Sequence, residues 1–187
     1  MNTYGVTVRY AKALSIYAEE QGVSALVYKE MQCLYGAFRN CKEFVVTLNN
    51  PVLPSTEKRK LIEAAIGGDA VSEVSKRFID LTLKHRRVGL LGWMALHYIA
   101  IYREKKQIYE GELCTASPLK QETKKRIEQW ILKGKQGRVE LLCKEDEKLI
   151  GGFMLRLGDR RWNVSVKGQL ERMKSDLLQN KKGGSNV

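Results

Sequence analysis

Apolar residues recur at helical spacing through the first half of the chain and then switch to alternation, and this change of period divides the molecule. From Val6 to Ala18 the apolar positions are Val6, Val8, Tyr10, Ala11, Ala13, Leu14, Ile16, Tyr17 and Ala18. At about 100° per residue most of them cover an arc of about 200°, where a single core needs a stripe of about 100°. A second helix carries Val27, Met31, Leu34 and Phe38 on one narrow face, the ordinary amphipathic pattern. A short segment, Phe44 to Leu48, follows, and Asn49-Asn50-Pro51 stops it. Ser55 is expected to cap a helix from Thr56 to Ile66 that closes at Gly67-Gly68. The next helix runs from Val71 to about His85, with Val71, Val74, Phe78 and Leu81 in one stripe and Ile79 and Leu83 nearly opposite. A last helix starts near Leu90 and passes through Leu91, Met94, Tyr98 and Tyr102 to about Lys106. Short polar or glycine-containing connections between such segments predict a compact helical bundle.

After Gln107 the pattern changes. Ile108 to Ala116 reads as extended and Ser117-Pro118 breaks it. Leu119 to Lys133 reads as a helix anchored by Ile127, Trp130 and Ile131. Val139, Leu141 and Cys143 alternate with Arg138, Glu140 and Leu142; Phe153, Leu155 and Leu157 alternate with Met154 and Arg156. Gly158-Asp159 then turns the chain, so that Trp162 to Val166 can return as a hairpin strand. Leu170, Met173 and Leu177 mark a final helix with Ser165 as its expected cap. The order is β-α-β-β-β-α. The predicted class is α+β, with a helical domain over residues 1–107, a small α/β domain over 108–180 and a disordered tail over 181–187.

The first and fifth helices carry more apolar surface than one core requires. If they lie side by side, the surplus forms a groove for an amphipathic helix of another chain. The alternative is that both are central and fully covered by neighbours.

Composition narrows the function. Of 187 residues, 43% are hydrophobic and 29% charged, as in a globular protein. No apolar run approaches the roughly 18 residues that cross a bilayer. Met1-Asn2-Thr3-Tyr4 has no secretory-signal character, so a cytosolic location is expected. The net charge of +12 is uneven, +4 up to Tyr102 and +8 beyond it, which points to an acidic partner for the second half. Nucleic acid, an acidic protein helix and plain solvation all fit that excess.

Catalytic chemistry finds no support. Cys33, Cys41, Cys114 and Cys143 are widely spaced and lack a C-x-x-C pair, so they read as buried reduced thiols rather than a metal site. Gly151-Gly152 precedes a strand, whereas a phosphate loop follows one and opens a helix; close backbone approach or a bulge is the better reading. His85 and His97 adjoin no nucleophile or orienting acid, and Glu145-Asp146-Glu147 reads as a solvated turn. No enzyme, cofactor or metal is expected. Lys124-Lys125-Arg126 and Arg160-Arg161-Trp162 are basic clusters, but no recognition helix, aromatic sheet motif or clamp loop accompanies them. A basic nucleic-acid-binding protein is therefore the second reading.

An ordered set of motifs adds a resemblance. Arg9-Tyr10-Ala11-Lys12-Ala13-Leu14 with Tyr17-Ala18, Asn50-Pro51-Val52-Leu53 with Lys58, the run from Phe78 to Arg87-Val88, and Leu149-Ile150-Gly151-Gly152-Phe153-Met154-Leu155-Arg156-Leu157-Gly158-Asp159 followed by Ser165-Val166-Lys167-Gly168-Gln169-Leu170 occur in that order. Together they resemble the delta subunits of F-type ATP synthases, called OSCP in mitochondria. One departure is Asn163, where the family pattern has Asp two residues before the serine. The resemblance implies a non-catalytic peripheral-stalk (stator) subunit that couples the catalytic head to the membrane-anchored b subunits during rotary ATP synthesis. It implies a six-helix N-terminal domain that binds the N-terminal helix of an alpha subunit, and a C-terminal domain that holds the C-terminal helices of the b subunits. The subunit would be a monomer within the complex, would meet the membrane only indirectly and would bind no nucleic acid. It would sit at the cytoplasmic face of a bacterial inner membrane. By position, the alpha-subunit contacts would be Tyr10, Ala13, Leu14 and Tyr17 on the first helix, with Phe78, Leu81, Thr82 and His85 on the fifth.

Overall fold

The computed structural model of the chain describes residues 3–68, 71–133, 137–146, 149–158, 160–170 and 172–174. Two compact units emerge, Met1–Lys105 and Lys106–Val187, and they divide close to the change of period at Gln107.

The first unit contains α1 (Thr3–Glu20), α2 (Ser24–Asn40), α3 (Lys42–Asn49), α4 (Ser55–Ile66), α5 (Glu73–Lys84), a 3-10 turn at Val88–Leu90, and α6 (Leu91–Lys105). The segment around Phe44–Leu48 is thus a two-turn helix. Helix α6 forms the axis of the unit, packing against both α1 and α2. Its Leu91, Met94, Ala95, Tyr98 and Ile99 are all buried, because its apolar residues surround the helix instead of forming a stripe. Close packing here needs Gly92, since a Cβ at that position would lie 2.9 Å from the ring of Phe38. Around the axis, α1 contributes Val6, Ala11, Leu14 and Ala18, and α2 contributes Val27, Met31 and Leu34. Tyr98 is buried with its hydroxyl donating to the Ser24 carbonyl at 3.1 Å, and burial pushes its ionisation upward.

Helix boundaries follow local chemistry, with one correction. Ser55 does not cap α4; it is the first helical residue, and Pro54 holds the N-cap position with extended backbone, consistent with proline's fixed φ at helix starts. Ser72 caps α5, its side chain accepting from the Ser75 amide at 3.2 Å. The other end of α5 turns through Arg86 at φ 55°. The Arg86 amide donates to the Leu83 carbonyl and the Arg87 amide to the Thr82 carbonyl, the paired bonds of a Schellman turn.

The second unit is a four-stranded sheet in the order β2-β1-β3-β4. The strands are β1 (Ile108–Thr115), β2 (Arg138–Glu145), β3 (Phe153–Leu157) and β4 (Arg160–Asn163), with α7 (Gln121–Leu132) between β1 and β2. Because β1 and β2 are parallel, with Ile108 opposite Arg138, the connection must cross over, and α7 makes that crossing. Strands β1 and β3 are antiparallel with Leu113 opposite Leu155. These two leucines and Ile127 of α7 form a small core edged by Leu141, Leu157 and Trp162. The return strand is Arg160–Asn163 rather than Trp162–Val166, with Trp162 opposite Leu155. Asn163 ends it, because its Oδ1 accepts from both the amide (3.1 Å) and the hydroxyl (2.7 Å) of Ser165. Ser165 Oγ in turn accepts from the Gly168 amide at 3.0 Å and caps the helical residues 166–170. Asn163 therefore does the capping work that an acceptor at this position requires.

Gly152 is a tight joint of this unit. Its φ is +77°, and a Cβ there would sit 2.3 Å from the Val164 carbonyl oxygen. Leu170 and Met173, two of the three apolar residues that mark the last helix, are exposed. Leu177 and the tail 181–187 lie outside the described residues. The cysteines are free, but Cys33, Cys41 and Cys143 are exposed and Cys114 is partly so, which corrects the expectation of buried thiols. No helix among the described residues is long and apolar enough to cross a membrane.

Candidate functional site

Helices α1 and α5 lie side by side and leave between them an apolar groove of about 550 Å³. One wall is Arg9, Tyr10, Ala13, Leu14 and Tyr17; the other is Val74, Arg77, Phe78 and Leu81. On both helices the lining follows i, i+3, i+4 and i+7, so each wall is two helical turns long, about 10 Å. Parallel stripes at this spacing match the ridge of a third helix.

Arginines hold the two tyrosines of the α1 wall in place. Arg87 Nη1 donates to the Tyr10 hydroxyl at 2.8 Å, and its guanidinium stands 5.3 Å from the centre of the Tyr10 ring. Arg77 Nη1 donates to the Tyr17 hydroxyl at 2.6 Å. Tyr10 also meets Phe78 edge-on, with ring centroids 6.4 Å apart. Each tyrosine thus has its polar tip satisfied from within the unit and turns its ring towards the groove.

Of the eight residues expected at the site, six line the groove: Tyr10, Ala13, Leu14, Tyr17, Phe78 and Leu81. They contribute unequally. Leu81 is 44% exposed, whereas Leu14 and Phe78 are 3% and 6% exposed and serve chiefly as floor. Thr82 is not in the groove. It is turned about 100° round the helix from Leu81, is fully buried, and donates its hydroxyl to the Ile79 carbonyl at 2.7 Å. His85 is the C-cap of α5, exposed beyond the end of the lining. Arg9, Val74 and Arg77 line the groove without having been expected there. Val74 belonged to the fifth-helix stripe and was legible from it; the two arginines carry no apolar periodicity that would mark them as lining.

Two members of the Arg160-Arg161-Trp162 cluster make contacts within the second unit. Trp162 packs edge-on to Trp130 at 5.9 Å and borders the small core. The guanidinium of Arg161 rests on the Met154 sulfur. On the sheet face away from α7, Lys144 Nζ pairs with Glu112 at 2.6 Å. That bond, then the lysine's charge, holds Glu112 below its ordinary carboxylate value against a small desolvation effect, with Arg156 assisting. Among the described residues no group of His, Cys, Asp and Glu could hold a metal ion.

The helical unit thus carries a helix-sized apolar groove, and a small mixed-sheet unit follows it in the chain. Comparison with known proteins gives the family. Residues 6–177 match the family described as ATP synthase delta (OSCP) subunit. The chain is 40% identical over 173 residues to "ATP synthase subunit delta" of Phocaeicola vulgatus, covering 92% of this chain and 94% of that one. It is 39% identical over 174 residues to the protein of that name from Bacteroides fragilis, with the same coverage of 92% and 94%. A chain in the cryo-EM structure of the Toxoplasma gondii mitochondrial ATP synthase hexamer shares the fold, with a TM-score of 0.64 at 20% identity over 92% of this chain and 97% of that one. The chain belongs to the ATP synthase delta (OSCP) subunit family.

Proposed function

We propose that this chain is the peripheral-stalk subunit of an F-type ATP synthase and that the α1–α5 groove is its grip on the catalytic head. The observation that carries this is the groove itself, two matched apolar stripes left over after the core around α6 has closed. Its occupant on this reading is the N-terminal amphipathic helix of an alpha subunit, received by a six-helix N-terminal domain. Tyr10, Ala13, Tyr17 and Leu81 make the contacts above a floor of Leu14 and Phe78; Thr82 and His85 are outside it. The C-terminal unit holds the C-terminal helices of the b subunits, its basic excess meeting their acidic surface by electrostatic steering. The subunit is non-catalytic, acts as a monomer within the complex and lies at the cytoplasmic face of the inner membrane through its partners.

The task is mechanical. The head must stay still while the rotor turns, which calls for slow dissociation. Burying a few aromatic and aliphatic anchors, at about 1.5 to 3 kcal/mol for each one newly covered, is enough for such a grip. Calorimetric titration of the chain with a peptide of the alpha-subunit N-terminus from the same organism tests the reading. Saturable one-to-one binding is expected; absence of heat together with unchanged α1 and α5 amide resonances would overturn it.

A further inference from the structure

Behind the groove lies a buried carboxylate that neither the groove nor the core accounts for. Glu30, on α2, is only 5% exposed. Its Oε1 accepts from the Ser72 backbone amide at 2.6 Å. Its Oε2 accepts from the Ser72 hydroxyl at 2.7 Å and the Ser75 hydroxyl at 2.5 Å. One carboxylate thus takes three hydrogen bonds from the N-cap and first turn of α5. A charged group this buried is retained only where its lone pairs are satisfied, and here the donors come from a single place, the start of one groove wall. A carboxylate at a helix N-terminus also meets the positive end of the helix dipole.

The position matters because the groove's α5 wall begins in the same turn. Val74 and Arg77 bracket Ser75 in sequence, and Phe78 follows one turn later. Ser72 is at once the cap of that turn, accepting from the Ser75 amide, and a donor to Glu30. If the first turn frays, Val74 and Phe78 lose their fixed distance from α1, and any incoming helix must order them at its own cost.

We infer that Glu30 is a positioning residue for the groove: it latches the first turn of α5 to α2 and so presets the wall that a partner helix meets. The latch is a property of the free chain; its effect on binding rests on the reading of the groove given above. Glu30→Ala removes all three acceptor contacts. Glu30→Gln keeps the shape and an acceptor for the Ser72 amide. Ser75→Ala removes one contact and leaves the cap intact, giving a variant that should fold even where Glu30→Ala does not.

The test combines amide hydrogen exchange on the full chain with titration by the alpha-subunit N-terminal peptide. Ser75→Ala and Glu30→Ala should speed exchange in residues 73–78 while the protection of α6 stays within about threefold. Peptide affinity should fall by about tenfold in Glu30→Ala and recover in part in Glu30→Gln. Unchanged exchange in residues 73–78, or an equal loss of protection throughout the helical unit, would overturn the latch. Failure of the unaltered chain to bind the peptide would strike at the occupant of the groove instead, and the exchange measurement would still decide the latch.

Discussion

Arg87 donates to the hydroxyl of Tyr10 at 2.8 Å while its guanidinium stands 5.3 Å from the centre of the same ring. The Schellman turn after α5 brings Arg87 back over α1, so the end of one groove wall clamps the aromatic anchor of the other. Two kinds of contact share one pair, and they can be separated. Tyr10→Phe keeps the ring and the cation–π contact but removes the acceptor. It should lower stability by about 1 kcal/mol and change affinity for the alpha-subunit peptide by no more than about threefold. Arg87→Met should free the ring and weaken binding more than Tyr10→Phe does. Calorimetric titration and denaturant melts of both variants check the order.

Leu14 and Leu81 line the same groove but should behave oppositely. Leu14 is buried, so Leu14→Asp places an unpaired charge in the core and should cost about 3 to 5 kcal/mol. Leu81 is 44% exposed. Leu81→Asp should leave the melting curve within about 0.5 kcal/mol of the original. It should weaken peptide binding by about 2 kcal/mol, roughly thirtyfold. Thermal melts and titrations of the two variants side by side are the measurement, and a stable Leu14→Asp would show that the floor has been misassigned.

The Glu112–Lys144 pair predicts an acid response in the second unit. A carboxylate held below its ordinary value contributes stability that is present above the unfolded value and is lost as pH falls through the depressed folded one. Lys144→Gln should raise the Glu112 midpoint towards the ordinary carboxylate range and flatten the stability profile across that window. NMR titration of the Glu112 side-chain carboxyl reads this directly, and an unmoved midpoint would exclude Lys144 as the cause.

Gly152→Ala should be costly, because the new Cβ meets the Val164 carbonyl oxygen at a backbone φ of +77°. A loss of more than about 2 kcal/mol is expected. It should appear as faster exchange in β3 and β4, with protection in α6 unaltered.

Much of this architecture was legible in the chain because period reports burial. The change near Gln107 marked the helical and sheet units, and the doubled stripe of α1 marked a helix with apolar residues both in the core and in the groove lining. What escaped was decided by rotation and by partners distant in sequence. Thr82 and Leu81 are neighbours, and pattern alone could not tell that one faces the core and the other the groove. Glu30 reads as an ordinary polar position on α2 until Ser72 and Ser75 are brought against it. Asn163 was readable, because its acceptor role needs only Ser165, two residues away. The exposed Leu170 and Met173 show the opposite limit: apolar spacing reveals that a helix has a greasy side, not whether its own unit covers it.

A groove whose lining is chiefly apolar, Arg9 and Arg77 aside, also has a characteristic response to temperature. Attraction between apolar surfaces weakens on cooling, because their hydration carries a large heat capacity. On the proposed reading, a helix bound between Ala13 and Leu81 should therefore be held less firmly near freezing than at growth temperature, and high salt should do little to dislodge it. Complexes purified on ice would then shed this subunit more readily than those kept warm.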